Sequence, residues 1–440
     1  MDPKQDTQKT SRSLKFSFRD GIFASAMIGF TQDYFTPFLL LLGGTVRHVG
    51  MLNALPNLFG SLIQVKSADI TEKIKSRRKT INIFVFIQAF MLLPMAIVAL
   101  RGGISPAVFI AFVTLFASCG AISTPAWGSL MSDLVAKERR GEYFGWRNRI
   151  LGLIIIGSAL IAGFILYFMK KINVFYGFGI IFSLAFLYRL ISWYYLKRMH
   201  EPPIEYKKEN YFNLIDFLAR IRESNFAKFV LFVAAMNFSI NLASPFFAVL
   251  MLKDLQFNYL LYTLITITAT LTLYLMISRW GRHADKVGNL KIIRFTAPLI
   301  GITPLLWIFN HNPIFLIFVQ IYSGFLWAGF SLCTTNFIYD AVMPEKRARC
   351  ISYFNVLNGL ALSCGALIGG FLLRYLPPLF GYKIFMLFLI SSVLRIAIGA
   401  FMPMKLKEVR PVERIDNNAL FFSIIGMKPL LGVERKIVRF

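Results

Sequence analysis

Residues 30–38 read Phe-Thr-Gln-Asp-Tyr-Phe-Thr-Pro-Phe and set one carboxylate, Asp33, midway along an apolar run, with Gln32 beside it and Pro37 about one helical turn beyond. A charged side chain at the middle of a bilayer is costly and by default marks an ion or substrate pathway. Burial and an opposite charge act on a carboxyl in opposite senses, so an acid whose surroundings alternate can load and release a proton. The other role open to Asp33 is a structural ion pair with Arg147 or Arg149. A second copy of the pattern, Phe-Ser-Ile-Asn-Leu-Ala-Ser-Pro-Phe at 238–246, lies 208 residues further on and puts Asn241 opposite Asp33. Asn has the same shape but cannot titrate, so one copy would carry a proton and the other a fixed hydrogen bond.

Further polar groups interrupt apolar runs: Asn237, Ser244, Tyr322, Trp327, Asn336, Asn355 and Asn358. Each either lines a cavity or bonds one helix to another. Arg189 and Arg395, in the cytoplasmic halves of their runs, are expected to snorkel toward the cytoplasmic interface rather than to touch a substrate. No chemistry of the enzymatic kind stands out. The four histidines, His48, His200, His283 and His311, are scattered, and Cys119, Cys333, Cys350 and Cys364 sit in or beside apolar stretches without ligand spacing. They read as small core hydrophobes. A Gly-Lys-Ser/Thr phosphate loop does not occur, which argues against an ATP-driven pump on this chain. No cofactor is expected.

A charged constellation at 280–291, Trp-Gly-Arg-His-Ala-Asp-Lys-Val-Gly-Asn-Leu-Lys, separates the apolar runs 259–278 and 292–309. Gly281 and Gly288 suit a tight connection, since glycine has no Cβ to clash. Asp285 is placed to face the positive end of a neighbouring helix. Ala68-Asp69 is a worn counterpart in which Val65 and Glu72 occupy the glycine positions.

These residues need elements to hold them. The chain has 440 residues, 56% hydrophobic, with a mean hydropathy of +0.60, which excludes an ordinary soluble domain. The net charge of +26 comes in bursts between apolar runs and forms no continuous stripe, so no nucleic-acid partner is implied. Twelve spans are predicted at about 21–43, 49–68, 80–100, 105–127, 144–168, 174–196, 227–252, 257–279, 292–310, 313–338, 349–373 and 381–403. With both termini in the cytoplasm, 39 Lys and Arg fall in cytoplasmic tails and loops and 7 in outer loops. That alternation would not survive one missed or extra span. The run after Asp20 is too long for a signal peptide's apolar region.

The two halves repeat. Asp133-Leu-Val-Ala-Lys-Glu-Arg-Arg matches Asp340-Ala-Val-Met-Pro-Glu-Lys-Arg at a shift of 207, and the same register carries Asn148 and Gly152 onto Asn355 and Gly359. Arg189 falls opposite Arg395 at a shift of 206. The domain reading is a cytoplasmic tail (1–20), a six-helix bundle (21–196), a linker (197–226), a second bundle (227–403) and a basic tail (404–440). The linker pattern at 212–222 suits a helix lying on the inner membrane face, and the apolar patch at 419–432 a segment bound to anionic lipid.

The order Gly-x-x-Ala-Asp-x-x-Gly-x-x-Lys, here Gly281, Ala284, Asp285, Gly288 and Lys291, resembles the signature loop of the major facilitator superfamily of secondary transporters. Together with the worn copy at Asp69 and the repeated halves, the resemblance covers about residues 20–403. It implies an all-α membrane fold of two pseudo-symmetric six-helix bundles, alternating access about a central site lined by spans 1, 4, 7 and 10, and no enzyme activity. It also implies that Asp285 faces the start of span 5 (141–149) and Asp69 the start of span 11. The functional expectation is a monomeric transporter of a small solute in a prokaryotic inner membrane, coupled to protons. An uncoupled facilitator and a transporter-like receptor or scaffold are the alternatives. Single cysteines at positions 47, 171 and 376 should react with an impermeant thiol reagent added outside, and those at 75, 207 and 286 should not; outside labelling at 286 would overturn the topology.

Overall fold

The computed structural model describes residues 3–135, 140–202, 224–342 and 344–409. The surface helix expected at 212–222 and the tail beyond 409 lie outside the described residues. Helices make up nearly all of what is described, and the β contact present is an isolated bridge between Leu379 and Tyr382. This follows from the solvent: in a hydrocarbon layer a long apolar run must satisfy its backbone groups internally, and a helix does so within one segment.

Among the described residues, ten helices are long and apolar enough to cross a membrane, and they fall on expected spans 3 to 12. Span 1 is made of the helices Pro3–Thr31 and Phe35–Leu41, and span 2 of Val46–Ile74. Both lie below the apolar measure of the others. Span 1's first helix begins eighteen residues before the predicted start at 21, inside the basic stretch, and span 2 carries Arg47, His48, Asn53, Asn57, Lys66 and Asp69. Polar residues at helical spacing extend a helix beyond its apolar part, so hydropathy alone places the ends too late or too early.

Two compact units are present. The first comprises Met1–Lys208, Asn241–Ile267 and Gly359–Leu387; the second comprises Glu209–Ile240, Thr268–Asn358 and Phe388–Phe440. In the first, Phe38 is fully buried among Phe109, Phe178 and Phe182, with ring centroids 4.9–5.3 Å apart. Small residues bring helices to backbone contact. A Cβ on Gly29 of span 1 would lie 2.5 Å from the Ile155 carbonyl oxygen and 2.7 Å from Ser158 Cβ on span 5. A Cβ on Gly50 of span 2 would lie 2.7 Å from the Ala366 carbonyl oxygen on span 11. Such approaches are how helices gain packing where lipid tails are as apolar as the side chains.

In the second unit, Phe229 of span 7 stacks on Phe337 of span 10 at 4.3 Å. Trp280 of span 8 is fully buried, and its indole Nε1 donates to the Phe325 carbonyl at 2.8 Å. Cys119, Cys333 and Cys350 are buried as expected, whereas Cys364 is exposed and so is no core residue. Gly29→Val should lower the melting temperature in detergent by the equivalent of about 1–3 kcal/mol, because backbone at Ile155 and Ala159 cannot yield to the added carbons. An unchanged melting curve would show that spans 1 and 5 are not held at this separation.

Candidate translocation site

Span 1 is interrupted in its middle. Its helix stops at Thr31, residues 32–34 form a turn, and a second helix starts at Phe35. Pro37 accounts for part of this: it has no amide hydrogen, so the Asp33 carbonyl four residues earlier cannot receive its helical bond. That carbonyl accepts instead from Tyr262 Oη of span 8 at 2.8 Å. The Asp33 carboxylate is half-buried and has neither a hydrogen bond nor an ion pair among the described residues. Gln32 is exposed.

The repeat mate breaks at the corresponding place. Span 7's helix Asn225–Asn241 ends at Asn241 itself; a turn at 242–243, the 3-10 turn Ser244–Phe246 and a π-helical turn at Leu250–Asp254 follow. Pro245 occupies the position of Pro37. Discontinuous helices inside a membrane are tolerated where other groups re-satisfy the backbone, and they characterise transporter binding sites. On the side poor in Lys and Arg, a cavity of about 370 Å³ opens beyond the first break, lined by Pro37, Leu40, Leu41, Gly43, Gly44, Leu252, Lys253 and Tyr259.

Other expected site residues are divided between the units. Asn241 belongs with Gln32 and Asp33, while Asn237, Trp327 and Asn336 belong to the second unit. Asn237 Nδ2 donates to Asn358 Oδ1 at 2.9 Å, and Tyr322 Oη donates to the Leu299 carbonyl at 2.9 Å, so both tie helices together. Trp327 is half-buried, edge-on to Phe330 at 5.7 Å, and Asn336 is half-buried.

The three intramembrane arginines correct two expectations. Arg147 does not pair with Asp33. It reaches the Ser17 carbonyl at 3.3 Å, about 24 Å along span 1 from Asp33, and lies over the Trp127 ring at 4.7 Å. Arg189 and Arg395 do not snorkel; they are buried to 8% and 3% exposure. Arg189 grips Gln88 Oε1 with Nε (2.8 Å) and Nη2, and its Nη1 bonds Ser192 Oγ, which donates to Asp20 Oδ1 at 2.6 Å. Arg395 Nη2 donates to the Ile240 carbonyl at 3.0 Å, one residue before the span 7 break. A guanidinium carries five donors and can be held by neutral acceptors inside the protein, which hydropathy cannot reveal.

The signature stretch is helical rather than a loop, since the span 8 helix runs to Val287. Gly288 has φ +85° and needs to be glycine, but Gly281 is helical and a Cβ there would meet Leu332 at an ordinary 3.5 Å. Asp285 is exposed, Lys291 is half-buried, and Asp69 is exposed with Lys66 at 3.7 Å.

Two carboxylates not singled out by sequence organise this basic side. Glu201, just after span 6, accepts from the Arg77 amide at 2.6 Å and from Ser76 Oγ at the start of span 3. Arg77 also pairs with Asp133 at the end of span 4. Glu408, just after span 12, accepts from the Leu290 amide at 2.7 Å at the start of span 9, where Asn289 Nδ2 bonds Asp340 Oδ2 at 2.8 Å. Glu201 and Glu408 are 207 residues apart, the same shift as Asp133 and Asp340, and that shared register was the available signal.

A many-helix membrane chain with matched breaks in two repeat-related spans defines a membrane transport protein. The family model described as "Major Facilitator Superfamily" matches residues 21–235 and 227–432, and the chain belongs to that family. Among solved structures it is similar to a mutant form of the nucleoside transporter NupG (13% identity, 89% of this chain and all of that one, TM-score 0.70). It is likewise similar to an auto-inhibited POT family peptide transporter (13%, 91% and 99%, TM-score 0.68). A third is a bacterial homolog of the human lysosomal transporter Spinster (14%, 92% and 97%, TM-score 0.63). No curated protein sequence matches the chain.

Glu408→Ala and Glu201→Ala should each lower stability by about 1–3 kcal/mol, since each leaves a helix-terminal amide without its charged acceptor. Glu201→Ala should cost more because Arg77, 4% exposed, loses one of two acidic neighbours. Calorimetry in detergent checks the order, and equal or absent shifts would contradict it.

Proposed function

We propose that the chain carries a small solute across the membrane by alternating access and couples that movement to protons through Asp33. The observation that supports this reading is the Asp33 carboxylate, half-buried in a helix break with no partner among the described residues. Asn241, at the equivalent position of the other half, offers the same shape without a titratable group. An intramembrane acid with no internal counter-ion is costly to keep for structure alone, since a structural acid is stabilised by being paired. Gln32 beside it adds an amide able to donate and to accept. In this reading the chain works as a monomer in the inner membrane of a prokaryote, with both termini cytoplasmic. The basic loops then face the cytoplasmic leaflet, where anionic lipid attracts them.

The uncoupled facilitator is the second reading, favoured by the absence of any acid opposite Asp33 at 241. A solute is first identified by thermal shift over a panel of nucleosides, peptides, sugars and organic acids, since a ligand that binds the native state raises its melting temperature. In proteoliposomes, Asp33→Asn should then abolish accumulation driven by a pH gradient while leaving exchange within about threefold of wild type. Accumulation retained in that variant would refute the proton role and leave the facilitator.

A further inference from the structure

We propose that Tyr34 and Tyr262 form a clamp that links the closed contact of spans 1, 5 and 8 to the protonation of Asp33, making both tyrosines positioning residues for the coupling proposed above. The geometry is a double tie between neighbours in sequence. Tyr262 Oη donates to the Asp33 carbonyl at 2.8 Å, the carbonyl that Pro37 leaves without a helical donor. Tyr34, the next residue of the break, is fully buried; its phenol donates to the Ala159 carbonyl of span 5 and lies 2.8 Å from Thr263 Oγ1, the neighbour of Tyr262 on span 8. A phenol has one hydrogen, which goes to Ala159, and the single hydrogen of the Thr263 hydroxyl is shared between the Tyr34 oxygen and the Tyr259 carbonyl, also 2.8 Å away.

The surroundings make the clamp tight. Tyr262 and Thr263 are 4% and 2% exposed. A Cβ on Gly163 of span 5 would lie 2.6 Å from Thr263 Oγ1, so spans 5 and 8 touch where the clamp sits. Span 8 therefore cannot move from spans 1 and 5 without losing both ties and leaving the Asp33 carbonyl unsatisfied, which a membrane interior penalises. Among the described residues, the titratable groups that face Asp33 are the phenols of Tyr34 on its own span and Tyr262 on span 8. Neither carries positive charge, and no ion pair from another span reaches Asp33 among the described residues. An ionised Asp33, half-buried and without a positive partner, is thus less well accommodated while the clamp is shut than after span 8 withdraws and water covers it more fully. Neutral Asp33 goes with the closed clamp, and ionised Asp33 with the open one.

Spin labels at exposed positions 172 and 258, on the loops beside spans 5 and 8, read the clamp without any solute. In nanodiscs the long-distance population of the wild type should grow as pH rises. Tyr262→Phe and Tyr34→Phe weaken the closed state, so less alkaline conditions open it. The midpoint should fall by about one pH unit, tenfold in proton activity, the scale of one lost hydrogen bond. Thr263→Ser keeps the hydroxyl and should match the wild type, while Thr263→Val should behave like the tyrosine variants. That pair decides the matter should either Phe variant fail to fold. Asp33→Asn should flatten the pH response altogether. A response that persists in Asp33→Asn overturns the proton role itself. A response flattened there, with an unchanged midpoint in the Phe and Val variants, overturns the clamp and leaves the proton role standing. Distances that ignore pH in the wild type overturn the link.

Discussion

A backbone carbonyl or amide that loses its helical partner inside a membrane must find another, and the centre of this protein is arranged around that requirement. Pro37 interrupts the ladder of span 1 and releases the Asp33 carbonyl, which Tyr262 takes up from span 8. At the end of the helix before the span 7 break, the Ile240 carbonyl is taken up by Arg395 from span 12. Each break is thus bonded by one long polar side chain from a different span. The breaks in turn put Asp33 in a turn and Asn241 at the last residue of its helix, where a side chain is less confined to the face of a cylinder.

The halves share a backbone plan and differ in charge. Asp20 in span 1 has Lys228 as its counterpart in span 7, 208 residues on. In the first half, Asp20 sits at 4% exposure beneath Ser192, with the Arg189 guanidinium on that same serine. The second half has no acid at the corresponding position, and Arg395 turns to a backbone carbonyl, its Nε without a hydrogen-bond partner among the described residues. Removing one partner of a buried charged group is strongly destabilising, so the first half is expected to tolerate substitution of its charges less well. Asp33 and Asn241 repeat this asymmetry at the breaks.

Much of the fold was legible because its causes are local. Apolar runs near membrane length and the alternation of basic loops depend on composition over about twenty residues, and the repeat depends on register alone. The 207-residue shift that relates Asp133 to Asp340 also relates Glu201 to Glu408, yet the glutamates passed unnoticed because each lies beside a span rather than in a motif. What they do depends on helix ends more than a hundred residues away. The arginines were misread for a similar reason: hydropathy registers that Arg189 is polar but not that Gln88 and Ser192 wait beside it. Gly281 looked equivalent to Gly288, but a positive φ is a property of the folded chain, and only the second has it. Pro37 was visible as a helix breaker, whereas the phenol that answers the released Asp33 carbonyl comes from 229 residues beyond that carbonyl.

The glutamates at 201 and 408 also set an order of events during synthesis. Span 3 has its first amide held by a residue made 124 positions later, and span 9 has an early amide held by one made 118 positions later. Until those residues leave the ribosome, the start of each helix keeps an amide seeking an acceptor at the membrane surface. Each half can therefore finish assembling only when its own last span has been inserted, and the first half reaches that point before the second has begun. Whatever holds the nascent chain in the meantime, water or lipid headgroup, must be a partner weak enough for a carboxylate to displace.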